Sequence, residues 1–336
     1  MWRYSYNNAL MTASAQSHNN TARPNLRPFE LRRDLLAVAD LVELCFADRL
    51  DADGQTYVRQ MRTAARNARI LGWAASAFDR TSMPMGGFVW WENSMLVGNL
   101  SLLPVSALRE RAYLIANVAV HPDRRRRGIA RALTEAALEF IRTRNIKWSW
   151  LQVDDDNPAA LDLYHGLGFS EQARRTTWHS APTNHAHPKS STVDIKITFR
   201  RANDWAAQET WLGQIYPPEV MWHLPLRYNL LQPGWQGATS RLFSEKRVRQ
   251  WSLKRGDMLM GVLTRQSSPA HADKLWLATS PEFEDEAIQT LLPHAQRARP
   301  AHRTLALDYP AGRAADSIKN AGFYNHQTLV WMKLQV

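Results

Sequence analysis

Apolar positions along the first half of the chain change period in a definite order. Residues 29–32 read as a short strand. Leu35, Val38, Leu41, Val42 and Cys45 then recur at helical spacing over residues 35–46, and Tyr57, Met61, Ala64 and Ala68 do the same over 56–68. Residues 88–91 and 95–103 fit two strands of a hairpin that turns near Glu92 and Asn93. Residues 113–120 are apolar almost without a break, as in a strand covered on both faces. A helix over 128–142 places Ile129, Leu133, Ala136 and Phe140 on one face. A strand over 148–153, a helix from 158 to about 167 and a strand opening at Phe169 follow.

The polar segment APTNHAHPKSST, residues 181–192, interrupts this series, and the order then begins again. A strand is predicted over 195–200, a helix over 204–215, and a hairpin over 251–254 and 258–264 around Arg255, Gly256 and Asp257. A strand over 274–278, a helix over 282–292, a strand over 304–307, a helix over 313–321 and a strand over 329–334 complete it. The two halves align by residue. LQVDDDNPAALDLYHGLGF begins at Leu151 and LALDYPAGRAADSIKNAGF at Leu305, an offset of 305 − 151 = 154 that holds without gaps. Asp154 matches Asp308, Asp162 matches Asp316, and Gly168 with Phe169 matches Gly322 with Phe323. The pattern predicts an α/β chain made by duplication. It has a disordered leader over 1–26, a first domain over 27–182, a linker over 183–193 and a second domain over 194–336.

Composition narrows the setting. Among 336 residues, 45% are hydrophobic, which is enough for a core in each half, yet no apolar run approaches the roughly 18 residues of a membrane span. The first 25 residues are polar and lack the apolar stretch of a secretory signal, and Met11 is an alternative start. The lone cysteine, Cys45, excludes an intrachain disulfide and a cysteine-built zinc site, and points to a reducing, cytoplasmic setting. The net charge of +11 fits either a nucleic-acid partner or an anionic cofactor. The four arginines at 124–127 favour the second, because of where they sit.

They fall in VAVHPDRRRRGIARAL, residues 118–133, where a strand ends and an amphipathic helix begins. The first N–H groups of a helix are unpaired and carry the positive end of its dipole, a geometry that binds pyrophosphate. Gly128 lets a phosphate approach the backbone, Ala130 keeps the next turn slim, and the arginines add charge. Val118, Val120, Pro122, Arg125, Gly128 and Ala130 fill in order the pattern V-x-V-x-P-x-x-R-x-x-G-x-[GA]. The segment resembles the coenzyme A loop of the GNAT superfamily. The resemblance implies that acetyl-CoA is the co-substrate, with its pyrophosphate on the amides of Arg126, Arg127, Gly128, Ile129, Ala130 and Arg131. It also implies that the pantetheine arm lies along Val118, Ala119 and Val120. Arg126 departs from many relatives, which carry glycine there. A solvated basic loop is the plainer reading of the same residues.

A second stretch, residues 153–169, matches N-x-x-A-x-x-x-Y-x-x-x-G-F of the same superfamily. There the Asn contacts pantetheine and the Tyr protonates the departing thiolate; Asn157 and Tyr164 hold these places. Asn157 before Pro158 also makes a good helix cap, and Tyr164 also suits packing against the sheet. The resemblance spans roughly residues 29–182. It implies two GNAT-like domains, each a mixed, mostly antiparallel sheet flanked by helices, the first catalytic. It does not distinguish mycothiol synthases from ribosomal-protein alanine acetyltransferases.

Acetyl transfer to an amine needs a proton acceptor. The strand over 113–120 has no carboxylate and only Asn117 as an amide, so Asp154 and Asp155 are the nearest candidates, with a solvated loop as their plainer role. Asp48, Asp51 and Asp53 either attract a cationic amine or form an exposed turn. In the second half Ala311 replaces Asn157, Ile318 replaces Tyr164, and the acidic SPEFEDEAI, residues 280–288, replaces the basic loop, so this copy is expected to be degenerate. The expected acceptor is an amine on a small molecule or a peptide N-terminus, with no metal, nucleic acid or membrane involved and a homodimer left open. The rival reading is a non-catalytic acyl-CoA-binding sensor.

Overall fold

The structure, a computed structural model, describes residues 24–66, 86–107, 110–181, 194–244, 246–300 and 302–336. Most of the expected leader and the expected linker lie outside these residues. In the first half the order is β1 (Leu26–Pro28), α1 (Leu31–Phe46), α2 (Ala52–Arg66), β2 (Gly87–Glu92), β3 (Met95–Ala107), β4 (Glu110–Val120), α3 (Ile129–Thr143), β5 (Trp148–Asp154), α4 (Pro158–His165) and β6 (Ser170–Ser180). The second half adds β7 (Ile195–Phe199), α5 (Trp205–Ile215), α6 (Pro218–Met221), α7 (Tyr228–Leu231), α8 (Gly234–Leu242), β8 (Val248–Arg255), β9 (Met258–Gln266), β10 (Ala272–Thr279), α9 (Glu284–Arg297), β11 (Thr304–Pro310), α10 (Ala315–Asn320) and β12 (Phe323–Gln335).

Two sequence expectations shift. The first strand lies ahead of residues 29–32, because Asp34 starts α1 early. Its Oδ2 accepts from the Glu30 N–H at 2.8 Å, and Arg27 clamps both its oxygens at 2.6 and 2.8 Å. On α3 the buried ridge is Ile129, Leu133, Ala137 and Ile141, while Ala136 and Phe140 are only half-buried. Phe140 instead meets Phe88 and Tyr113 edge-on, with centroids 6.2 and 5.9 Å apart.

Among the described residues twelve strands form one sheet, in the order β1-β2-β3-β4-β5-β12-β6-β11-β10-β9-β8-β7. Among these described strands only β4–β5 and β10–β11 pair in parallel. The order reads the same from either end under the duplication. Each half contributes six strands, and the sixth strand of each half crosses over: β12 pairs with β5, and β6 pairs with β11. At the pseudo-two-fold between β6 and β12, Thr176 faces Thr328 and their hydroxyls lie 2.9 Å apart. The halves thus share one continuous sheet by strand exchange. Helices α1 and α2 cover one face of the first half through Leu35, Val38, Val42, Val58 and Met61, and α3 covers the other through Ile129, Leu133 and Ile141.

Candidate active site

Strand β4 leaves its parallel neighbour early. The last β4–β5 pair is Ile115 with Leu151, so residues 116–120 of β4 and 152–154 of β5 diverge into a wedge. On its other side β4 stays paired with β3 through Ala119 with Asn99 and Val120 with Gly98. The register slips there: Ala119 faces Asn99 and Ala116 faces Ser101, so β4 carries one extra residue. Asn117 takes up the bulge at φ 50°, a left-handed conformation that asparagine tolerates better than the apolar residues beside it. Its Nδ2 donates to the Tyr57 hydroxyl at 3.0 Å, and its carbonyl accepts from Asn99 Nδ2 at 2.9 Å. Burial pushes the Tyr57 phenol up, so it stays protonated. This polar cluster was legible only as an amide in an apolar strand.

The basic loop closes one end of the wedge. Gly128 is the N-cap of α3 at φ 76°, with no side chain to accept from the first-turn N–H groups. A Cβ built on it meets nothing within 4 Å, so the space in front of those amides is open. Arg126 is also left-handed, at φ 64°. Arg126 and Arg127 are exposed and form no ion pair with a described residue, and Arg131 is exposed on the first turn. The other two arginines of the run turn inward. Arg124 pairs with Glu92 at 3.0 Å, and Arg125 Nε donates to the Val120 carbonyl at 3.2 Å, which also accepts the Cys45 thiol at 3.3 Å. Among the residues expected at the cofactor, Arg125 therefore fastens the loop to β4. Ile129 is buried under the loop while Ala130 is half-exposed at the helix start. Val118 and Val120 pack toward α3 and α4, and Ala119 toward α1 and α2.

Tyr164, on α4, is 5% exposed and packs edge-on against Phe169 at 5.9 Å. Its hydroxyl makes no hydrogen bond with a described residue, and burial pushes its pKa well above that of a free phenol. Asn157 caps α4, its Oδ1 accepting from the Ala160 N–H at 3.2 Å. Asp154 does not present a free carboxylate. Oδ2 pairs with Arg49 at 2.8 Å and Oδ1 accepts from Gln327 Nε2 at 2.6 Å. Both oxygens are already held, which suits a clamp between the halves better than a proton acceptor. Asp51 and Asp53 are likewise engaged: Asp51 lies 3.3 Å from His326 Nε2, and Asp53 accepts from the His271 N–H at 2.8 Å. Asp155 is exposed.

The second half lacks these openings. Leu305 is the counterpart of Leu151, yet β10 and β11 stay paired two residues further, to Leu275 with Leu307. Beyond that point the Leu277 N–H donates to the buried Tyr216 hydroxyl at 3.3 Å. At the start of α9, Glu284 is held by Arg313 at 2.8 Å and by Tyr309, Asp285 by Ser317 at 2.6 Å, and Glu286 by Arg255 at 2.6 Å. Those acids answer the helix dipole from within. No group of three or more His, Cys, Asp or Glu among the described residues is arranged to hold a metal ion, and no described helix is long and apolar enough to cross a membrane.

Comparison with known proteins agrees with this geometry. The model of the acetyltransferase (GNAT) family matches residues 40–169. The [ribosomal protein bS18]-alanine N-acetyltransferase of Salmonella typhimurium is 37% identical over 83 residues, covering 25% of this chain and 55% of that protein. The mycothiol acetyltransferase of Geodermatophilus obscurus is 30% identical over 101 residues, covering 29% of this chain and 33% of that protein. The chain thus spans about half, or less, of the length of the curated relatives it matches. A solved tandem GNAT protein from the clavulanic acid biosynthesis pathway shares the fold at TM-score 0.50 and 17% identity, over 92% of this chain and 98% of that one. The open strand wedge and the glycine-capped helix at its mouth thus fall within residues 40–169, the segment that matches the acetyltransferase (GNAT) family.

Proposed function

We propose that the protein transfers an acetyl group from acetyl-CoA to an amine at the β4–β5 wedge of its first half, in a direct ternary complex. The observation that carries this reading is the pairing of that wedge with the uncapped first turn of α3 at Gly128. The amides from Arg126 to Arg131 receive the pyrophosphate, with Arg126, Arg127 and Arg131 supplying charge. The free edge of Val118, Ala119 and Val120 lines the pantetheine arm, and Asn157 stands at the opposite side of the wedge.

In the reaction the amine nitrogen bonds to the thioester carbon, the C–S bond breaks, and the amine proton passes to solvent water, from which the Tyr164 phenolate is reprotonated after it has protonated the thiolate. A backbone N–H of the bulged β4 segment stabilises charge developing on the carbonyl oxygen. Tyr164, protonated and without a partner, gives its proton to the departing thiolate. Asp154 acts as a positioning residue through Arg49 and Gln327. Cys45 is no acyl carrier in this scheme, since its thiol is half-buried and donates to Val120. The site serves a cytoplasmic enzyme whose acceptor is an amine on a small molecule or a peptide N-terminus. The test is release of free thiol from acetyl-CoA across a panel of amines and peptide N-termini. Turnover with at least one acceptor is expected. Binding of CoA with no thiol release across the panel would make the protein an acyl-CoA-binding sensor.

A further inference from the structure

Beside the wedge, with Gln152 of its β5 arm in the lining, the exchanged strands leave a cavity of about 210 Å³ at the seam between the halves, room for about seven water molecules. Its floor crosses five strands, from Gln152 on β5 to Lys274 on β10, and residues 223–225 roof it. Arg175, 4% exposed, and Asp308 both line it, and they answer each other: Arg175 Nε donates to Asp308 and its Nη1 to the Ile215 carbonyl at 2.9 Å. Their charges cancel. Lys274 is different. It is half-buried and makes no ion pair with a described residue, though its charge adds to that of Arg175 in favouring the Asp308 carboxylate, so two cations face one acid and the cavity keeps one net positive charge. That charge reaches its surroundings, and it is one of the causes, after burial and His326, that hold His179 low. Two of the walls are the indoles of Trp276 and Trp331, both nearly fully buried, with Leu224 and Leu329 beside them.

We infer that this seam cavity binds a small organic monoanion, with its carboxylate on Lys274 and its aromatic or branched apolar body between Trp276 and Trp331. A cation in a partly dry cavity is satisfied by an anion far better than by a neutral group. The balanced Arg175–Asp308 pair offers no second unmatched charge, so a monoanion is favoured over a dianion. Gln152 and His223 supply polar edges that orient the ligand. The volume lies below that of drug-sized pockets and suits a ligand of about ten non-hydrogen atoms. No part of the cofactor loop lines the cavity, although Gln152 also stands on the β5 arm of the wedge, so CoA affinity reads separately from binding here.

The test uses the whole chain and its own indoles. Tryptophan fluorescence and calorimetry follow titration with benzoate, phenylacetate and 4-methylpentanoate, each beside its neutral amide. At least one carboxylate should saturate at one equivalent and bind at least tenfold tighter than its amide. Lys274→Met should lose at least tenfold in affinity, about 1.4 kcal/mol, while Lys274→Arg stays within a few-fold. CoA affinity should be unchanged in both variants. Absence of saturable binding for all three carboxylates, or equal binding of acid and amide, overturns the proposal. That acid-to-amide comparison decides the matter on the unaltered chain even where Lys274→Met fails to fold.

Discussion

Tyr164 combines a buried ring with a hydroxyl that has no partner among the described residues and is not itself fully buried, so it stands free to meet a bound group. A leaving thiolate that forms only during turnover is such a group. Tyr164→Phe keeps the ring against Phe169 and removes only the oxygen. Turnover is expected to fall on the order of 10²-fold with CoA affinity held, read by steady-state kinetics alongside calorimetry. Full turnover in the variant, with chemistry rate-limiting, would leave Tyr164 a packing residue. At this scale the sequence was informative about local geometry, as for the helix N-caps Gly128 and Asn157. It was silent where role depends on a distant partner. Nothing near Asp154 in the chain announces Gln327, 173 residues away, or Arg49, and these two decide what its carboxylate can do.

Among the elements, strands and long helices were legible from period alone, to within a few residues at most ends. The stretch between α5 and β8 was not. Helices α6 and α7 have four residues each, too short to show a 3.6-residue repeat. The loop from α1 to α2 was read as either an amine trap or an exposed turn, yet it docks on the second half. There His326 holds Asp51 well below the usual carboxylate range, and His326 stacks on His179 at 4.0 Å. Burial first, then the charges of His326 and Lys274, lower the His179 pKa to about 4 from its ordinary 6.5. Its folded value lies below its unfolded value. The unfolded chain therefore takes up the extra proton between those two pH values. Stability is complete above about pH 6.5 and declines as pH falls toward 4, by up to about 1 kcal/mol per pH unit after allowance for solvent screening. His179→Phe keeps a stacking ring and removes the titration. Its melting temperature should fall less than that of the parent between pH 6.5 and 4.5 by calorimetry. Parallel decline in both would place the acid sensitivity elsewhere.

For the whole molecule, duplication was legible from the offset of 154, but strand exchange was not. A strand has the same alternation whichever half it joins. The second copy keeps the architecture without the features proposed as the site: its strands stay paired longer, Tyr216 occupies the divergence, and its helix start is acidic. Titration with CoA should therefore saturate at one equivalent per chain, and Gly128→Val should abolish binding rather than halve it. The branched Cβ is strained at φ 76° and stands where phosphate approaches. A second equivalent surviving in Gly128→Val would show that the second half also binds.

The exchange also sets an order in time. Strand β5 of the proposed catalytic half takes as its neighbour β12, and 323 − 180 = 143 residues separate the start of β12 from the end of β6. At roughly 5–20 residues per second, a ribosome needs on the order of ten seconds to make that stretch. Throughout, β5 and β6 wait as unpaired edges, the feature that invites pairing with another nascent chain. The half proposed to carry the chemistry is made first and finished last, so its yield in the cell depends on how well those waiting edges are shielded.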